Sequence, residues 1–189
     1  MASRLVGALL IVALVSMACG GDAGGRVSLT DAEQALADVI VAEMTANPDP
    51  SDPFQVEASA RCFAEGLVGE LGVGRLAELG IEAQNVGDPN AAFSLMTDPE
   101  VEATADIALG CPAFRDALGT EMTADGISDA SADCLVEELV DSGVFRLLVI
   151  AQMKGESTQA IEEDPANSAA LIGAPLECLT PEELETVLG

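Results

Sequence analysis

The chain lacks histidine, tryptophan and tyrosine altogether, and five phenylalanines are the only aromatic residues among its 189. Each absence removes a chemistry. Without histidine there is no imidazole general base, no switch near neutral pH and no histidine metal ligand. Stacking on sugars or bases would rest on the five Phe alone. Positive charge is also scarce: 7 Lys and Arg stand against 33 Asp and Glu, a net charge of −26. Six arginines and one lysine among so many carboxylates cannot build the basic surface that a phosphate backbone demands, which excludes nucleic acid as a partner. What remains is an acidic, alanine-rich chain, long enough for one ordinary domain or two small ones.

The N-terminus reads as an export signal. Arg4 is the only charge before an unbroken apolar run at 5–15, too short for a membrane span. Ser16-Met17-Ala18 then places small residues at −3 and −1 of a cleavage point. Cys19 follows directly, as at the lipid-attachment site of a bacterial lipoprotein, although Ser16 stands where Leu is commonest. Gly20-Gly21-Asp22-Ala23-Gly24-Gly25 is a flexible tether. The expectation is a signal peptide at 1–18 and a lipidated Cys19 with its tether at 19–27. The membrane is then a partner through the lipid anchor, which holds the chain on the outer face of the cell membrane. Plain secretion is the alternative. Cleavage removes Arg4 and no acid, so the mature chain carries one more net negative charge than the whole.

Two segments repeat an order of features. Glu43-Met44-Thr45-Ala46 precedes Ala60-Arg61-Cys62, Leu67-Val68 and Gly72-Val73-Gly74-Arg75-Leu76. Glu121-Met122-Thr123-Ala124 precedes Ala132-Asp133-Cys134, Leu139-Val140 and Gly143-Val144-Phe145-Arg146-Leu147. Asp98-Pro99 stands upstream of Cys111 as Asp164-Pro165 stands upstream of Cys178. The period is roughly 70–80 residues, which signals an internal duplication. Repeat 1 is placed at 28–122 and repeat 2 at 112–189, sharing a helix at 112–124.

Helix signals dominate. Thr30 with Glu33, and Thr180 with Glu183, have capping-box spacing. Asp98-Pro99 and Asp164-Pro165 offer an Asp cap with Pro at the first helical position. Val56, Ala60, Phe63, Leu67 and Leu71 form an apolar helical stripe. Pro53 is positioned to open that helix. Gly72, Gly80 and Gly143 read as helix ends, and 144–150 as a buried helix. The fold class is therefore all-α: two tandem, disulfide-closed helical repeats forming a compact bundle.

The cysteine count supports this reading. Five Cys in an exported chain is one too many for pairing, and four remain once Cys19 is acylated. Of the three connectivities four Cys allow, the duplication selects Cys62–Cys111 and Cys134–Cys178, each within one copy. The bridges span 49 and 44 residues and on the chain-entropy model are each worth about 4 kcal/mol. The wide spacing and the missing C-x-x-C disfavour zinc and thiol redox chemistry.

Other chemistry finds little support. Asn47, Asp49, Ser51 and Asp52 alternate like calcium ligands. The glycine and the final Glu of such a loop are missing (Ala58 stands at the twelfth place), and Asp125 and Asp129 are all the second copy offers. The loop is read as a rigid linker and no metal site is assigned. Carboxylate pairs such as Glu137-Glu138 and Glu162-Glu163 are expected as solvated helix faces. Lys154 lacks a serine three residues before it, where Ala151 stands, so no Ser–Lys nucleophile is present. No catalytic residue and no cofactor are assigned. Arg75 and Arg146, one per copy in a chain so poor in arginine, are either a pair of anion sites or structural ion pairs.

The lipobox-like start, the glycine tether, the acidic body and the paired L-V…G-V-x-R-L segments with flanking Cys resemble uncharacterised exported lipoproteins of high-GC Gram-positive bacteria. That resemblance implies no defined activity. Saposin-like lipid binders are a weaker analogy, since their closely spaced Cys pairs are missing. The expected function is a non-catalytic binding or interaction module of the cell envelope, meeting an envelope protein. A carrier of a small apolar ligand between helices is the alternative, and a carboxylate-based envelope hydrolase is the second.

Overall fold

The computed structural model describes residues 28–46, 52–83, 85–86, 89–124 and 126–188. The expected signal segment, Cys19, the glycine tether, Asn47, Asp49, Ser51 and Asp125 lie outside them. Helix α1 (Asp31–Met44) starts at its capping box: the Thr30 N–H and hydroxyl both donate to Glu33 at 2.8 Å. Pro53 opens a 3-10 turn (Pro53–Gln55) and not the helix itself, because Asp52 caps the Phe54 N–H at 2.9 Å and Val56 is extended. Helix α2 (Glu57–Glu78) comes next and packs along α1. Its stripe of Ala60, Phe63 and Leu67 is buried as the spacing predicts, whereas Val56 at its head is exposed. Gly72 breaks α2 with φ 74° and ψ 157°, a conformation open in practice only to glycine.

A two-residue hairpin, β1 (Ile81–Glu82) with β2 (Asn85–Val86), leads into α3 (Pro89–Leu95). Next come α4 (Asp98–Gly110), α5 (Pro112–Ala124), α6 (Asp129–Asp141), α7 (Val144–Met153), the short α8 (Gln159–Glu162), α9 (Pro165–Cys178) and α10 (Pro181–Leu188). The cap of α4 is Thr97, one residue before the Asp98 expected from sequence. Thr97 wins because its N–H and hydroxyl both reach Glu100, at 2.7 and 2.9 Å, leaving the Asp98 carboxylate free to face Lys154. Asp164 caps α9 as expected, accepting from the N–H groups of Ala166 and Asn167.

The disulfides are Cys62–Cys111 and Cys134–Cys178, with Cα atoms 5.8 and 5.5 Å apart. Each ties a helix carrying Ser-Ala-x-Cys, α2 or α6, to the end of the helix opened by Asp-Pro, α4 or α9. Helices α2 and α4 approach so closely that a Cβ on Gly66 would lie 2.5 Å from Cγ2 of Ile107. One core joins the elements: Leu36, Ile40, Phe63, Leu67, Val68, Leu76, Leu109 and Phe114 are buried together. Three of the five phenylalanines meet there, with ring centroids of Phe54 at 5.3 Å from Phe63 and 4.6 Å from Phe114. Val140, Phe145 and Val149 of the second half pack against this core, and α5 touches both α2 and α6. The second half's own buried cluster is small: Leu135, Ala174 and Leu179.

The segment 144–150 is helical, as expected, but not buried throughout. In α7 Val144 and Ala151 are buried and Leu147 is 39% exposed. The helix must lie at the surface because Arg146 and Lys154 reach sideways to the acidic edge of α4.

A core this small makes the second disulfide critical. The Cys134→Ser/Cys178→Ser double variant should lose about 3–4 kcal/mol. Hydrogen exchange should then speed up across α6, α9 and α10 while the α1–α2 pair stays protected. Equal loss of protection throughout would contradict the asymmetry of the two cores.

Candidate functional site

Of the seven cationic residues, Arg4 and Arg26 lie outside the described residues; four of the other five bond to one helix, α4. Its exposed edge carries Asp98, Glu102 and Asp106 at i, i+4 and i+8, a single row along one face. Arg75, three residues past the Gly72 break, donates from Nε to Glu100 Oε1 at 2.7 Å and from Nη2 to Glu100 Oε2 at 3.1 Å. Nη1 donates to Glu78, and Nη2 donates also to the Leu95 carbonyl. Arg146 stands three residues past Gly143, which takes a left-handed φ of 75°. It forms a two-pronged pair with Asp106, with Nη2 to Oδ2 at 3.1 Å, and reaches Glu102 at 3.4 Å. Lys154 Nζ lies 3.0 Å from Asp98 Oδ1. Arg115 donates to the Leu109 carbonyl in the last turn of α4 at 2.6 Å. The remaining cation, Arg61, joins α2 to Asp38 of α1 at 3.0 Å.

The two repeat arginines are thus brought to opposite duties on the same helix. Arg75 ties α4 to its own copy, and Arg146 crosses from the second copy to the first. In the second copy Ala166 stands where Glu100 stands after Asp-Pro, so Arg146 has no carboxylate of its own there. Both guanidinium groups face carboxylates in bidentate geometry, the arrangement of a structural ion pair. Pairing with Arg75 first, and the Thr97 N–H next, lowers the Glu100 carboxyl to about 2. The same carboxylates raise Arg75 and Arg146 above the usual guanidinium value.

A second polar centre extends the Thr180–Glu183 capping box to α6, a reach that its spacing does not foretell. Glu183 is 9% exposed and accepts four hydrogen bonds, from the Ser128 N–H at 2.7 Å, the Ser131 hydroxyl at 2.9 Å, and the Thr180 N–H and hydroxyl at 2.8 Å. One carboxylate therefore caps its own helix, α10, and also serves the start of α6 fifty-five residues away. Burying a carboxylate costs several kcal/mol unless it is so supplied. The Ser128 N–H first, then that of Thr180, hold the Glu183 carboxyl far below the ordinary range. The signal was available: Ser131-Ala132-x-Cys134 repeats Ser59-Ala60-x-Cys62. In the first copy Ser59 is fully buried and its hydroxyl has no partner.

Two concavities lie on the second half. An apolar dimple lined by Leu118, Met122, Val136, Leu139 and Phe145 is too tight for a water molecule. An open groove of about 250 Å³ runs between α5 and α6, lined by Asp116, Gly119, Thr120, Thr123, Asp129, Ala132 and Asp133. Its three carboxylates are exposed, and the Thr120 and Thr123 hydroxyls bond their own helix at 2.9 and 2.8 Å. Asp52, the described member of the calcium-like loop, is occupied by Phe54 and Gln55.

Glu183 yields a pH signature. Its folded-state pKa lies below its unfolded one, so its contribution is complete above about pH 4.5 and fades as pH falls below that. Glu183→Gln would turn an amide NH2 toward one of the two backbone N–H groups, since Ser128 and Thr180 donate to different oxygens, and should lower Tm by several degrees at pH 7. The gap to the parent should narrow steadily below pH 4.5. A gap that stays constant with pH would refute the assignment.

No protein-family model, curated protein or solved structure matches the chain, so its function has to be read from its own geometry.

Proposed function

We propose that the chain is a non-catalytic module of the cell envelope, exported and anchored by a lipid on Cys19, whose folded body acts by binding another envelope component. The observation that carries this reading is the outer face of α9. Ala169, Ile172 and Leu176 recur at i, i+3 and i+7 and lie on the solvent side; Ile172 is 60% and Leu176 62% exposed. An uninterrupted apolar stripe on so acidic a body is the kind of surface that marks interaction sites. Two disulfides fit an oxidising compartment outside the cytoplasm, and no helix among the described residues is long and apolar enough to cross a membrane. Attachment through a lipid is consistent with both facts, and the resemblance to exported lipoproteins of high-GC Gram-positive bacteria supports the same reading.

The alternatives find weaker footing. A carrier needs an apolar cavity of several hundred Å³, and the apolar dimple beside Phe145 is too tight for water. A hydrolase needs one carboxyl whose surroundings keep it protonated, and the acids of the α5–α6 groove are exposed to solvent.

Metabolic labelling with palmitate, together with membrane fractionation, tests the anchor. The parent protein should carry label and sediment with membranes, while Cys19→Ala should be unlabelled and released. An unlabelled parent with a free Cys19 thiol would contradict the lipoprotein reading and leave plain secretion.

A further inference from the structure

Resting on the binding-module reading, we propose that the outer face of α9 is a docking surface for a basic amphipathic helix of a partner polypeptide. The partner would carry an apolar seam about four turns long, with Lys or Arg near both ends.

Helices α4 and α9 occupy the same place in the two copies: each begins at Asp-Pro and each is bridged at its end to the preceding Ser-Ala-x-Cys helix. Helix α4 is covered by α7, an apolar helix with no carboxylate between 144 and 155. Arg146 and Lys154 of α7 close on Asp106 and Asp98 of α4. The fold thus contains one worked case of a cationic, apolar helix laid along a helix of this type.

Helix α9 also touches α7 and α8, yet Ala169, Ile172 and Leu176 on its outer side stay exposed. Its inner side meets α6 through Ala174 and the Cys134–Cys178 bridge. Counted from Asp-Pro, Ile172 stands where α4 has Asp106. The eleven residues 165–175 hold no charge, in a chain where 21% of residues are charged. A virtual Cβ at Gly173 meets nothing within 4 Å, so that position is open as well.

Charge fixes the class of occupant. The apolar stripe is bounded at one end by exposed Glu163 and Asp164, and at the other by exposed Glu177, with Glu182 and Glu185 beyond it on α10. At 1.5 Å per residue the two acidic ends are about 20 Å apart, close to four helical turns. A second copy of this chain would bring acidic rims together between bodies of net charge −26. An anionic lipid surface would meet the same repulsion. A helix with an apolar seam and cationic ends satisfies both the stripe and its rim, the familiar helix-in-groove mode.

The test uses the purified mature protein and three 16-residue probes. One is a Leu/Lys peptide patterned at helical period, the second its shuffled isomer, the third the Leu/Glu version of the pattern. Fluorescence anisotropy at about 0.15 M salt should show the patterned Leu/Lys peptide binding at least tenfold tighter than its isomer, and the Leu/Glu peptide not binding. Ile172→Ser and Leu176→Ser should each weaken the patterned peptide about fivefold or more. Leu95→Ser, at a residue just as exposed on α3, should not. Equal binding of both Leu/Lys peptides, unmoved by the α9 variants, would overturn the proposal in favour of diffuse charge attraction. A dimer in sedimentation that Ile172→Ser dissociates would overturn it in favour of self-association. Lipid labelling at Cys19 is read separately, so a failed anchor and a failed docking surface are distinguishable.

Discussion

Positive charge is the scarce material of this protein, and the fold concentrates it on α4. Arg75 and Arg115 arrive from α2 and α5, and Arg146 and Lys154 from α7 and its end. Helix α4 is also held at its C-terminus by Cys62–Cys111 and packed along α2 at the Gly66–Ile107 contact. A helix so fixed becomes the reference against which the other elements are placed. The two-pronged geometry of Arg75 and Arg146 sets the angle at which each approaches as well as the attraction itself. Most of the other described carboxylates lie on solvated faces, where they keep the body dispersed.

The two halves differ because only one of them has this arrangement. Asp98, Glu102 and Asp106 give α4 an acidic edge, and α7 is drawn across the copy boundary to cover it. Helix α9, without that edge, is left with Ile172 and Leu176 outward. The second half compensates through chain closure and through Glu183, whose carboxylate serves the starts of two helices at once. Its small buried cluster therefore relies on a disulfide and a polar knot more than on apolar area. The same difference produces the uncharged face on which the proposed function rests.

Much of this was legible in the residues. Capping boxes at Thr30 and Thr180, the apolar stripe of α2, the glycine breaks and both disulfides follow from spacing and duplication, because each depends on local geometry or on a pairing that repeats. What escaped depends on distance. Nothing near Arg146 in sequence says that its partner is Asp106, forty residues earlier, since helix-to-helix pairing is set by packing. The burial of Glu183 was hidden for the same reason: its capping-box spacing predicts one helix start and is silent about Ser128. The depth of α7 is not legible from its sequence, because its apolar composition outweighs two cations whose partners lie on α4. Ser-Ala-x-Cys was visible in both copies and pointed to a shared buried position.

The cationic grip of α7 on α4 is one link between the two halves, beside the packing of Val140, Phe145 and Val149 on the larger core. Differential scanning calorimetry of the Arg146→Ala/Lys154→Ala double variant tests this coupling most directly. The parent should unfold in a single transition whose calorimetric and van't Hoff enthalpies agree. In the variant the transition should split, with the half containing α6, α9 and α10 melting first. A single transition at an unchanged midpoint would contradict the coupling.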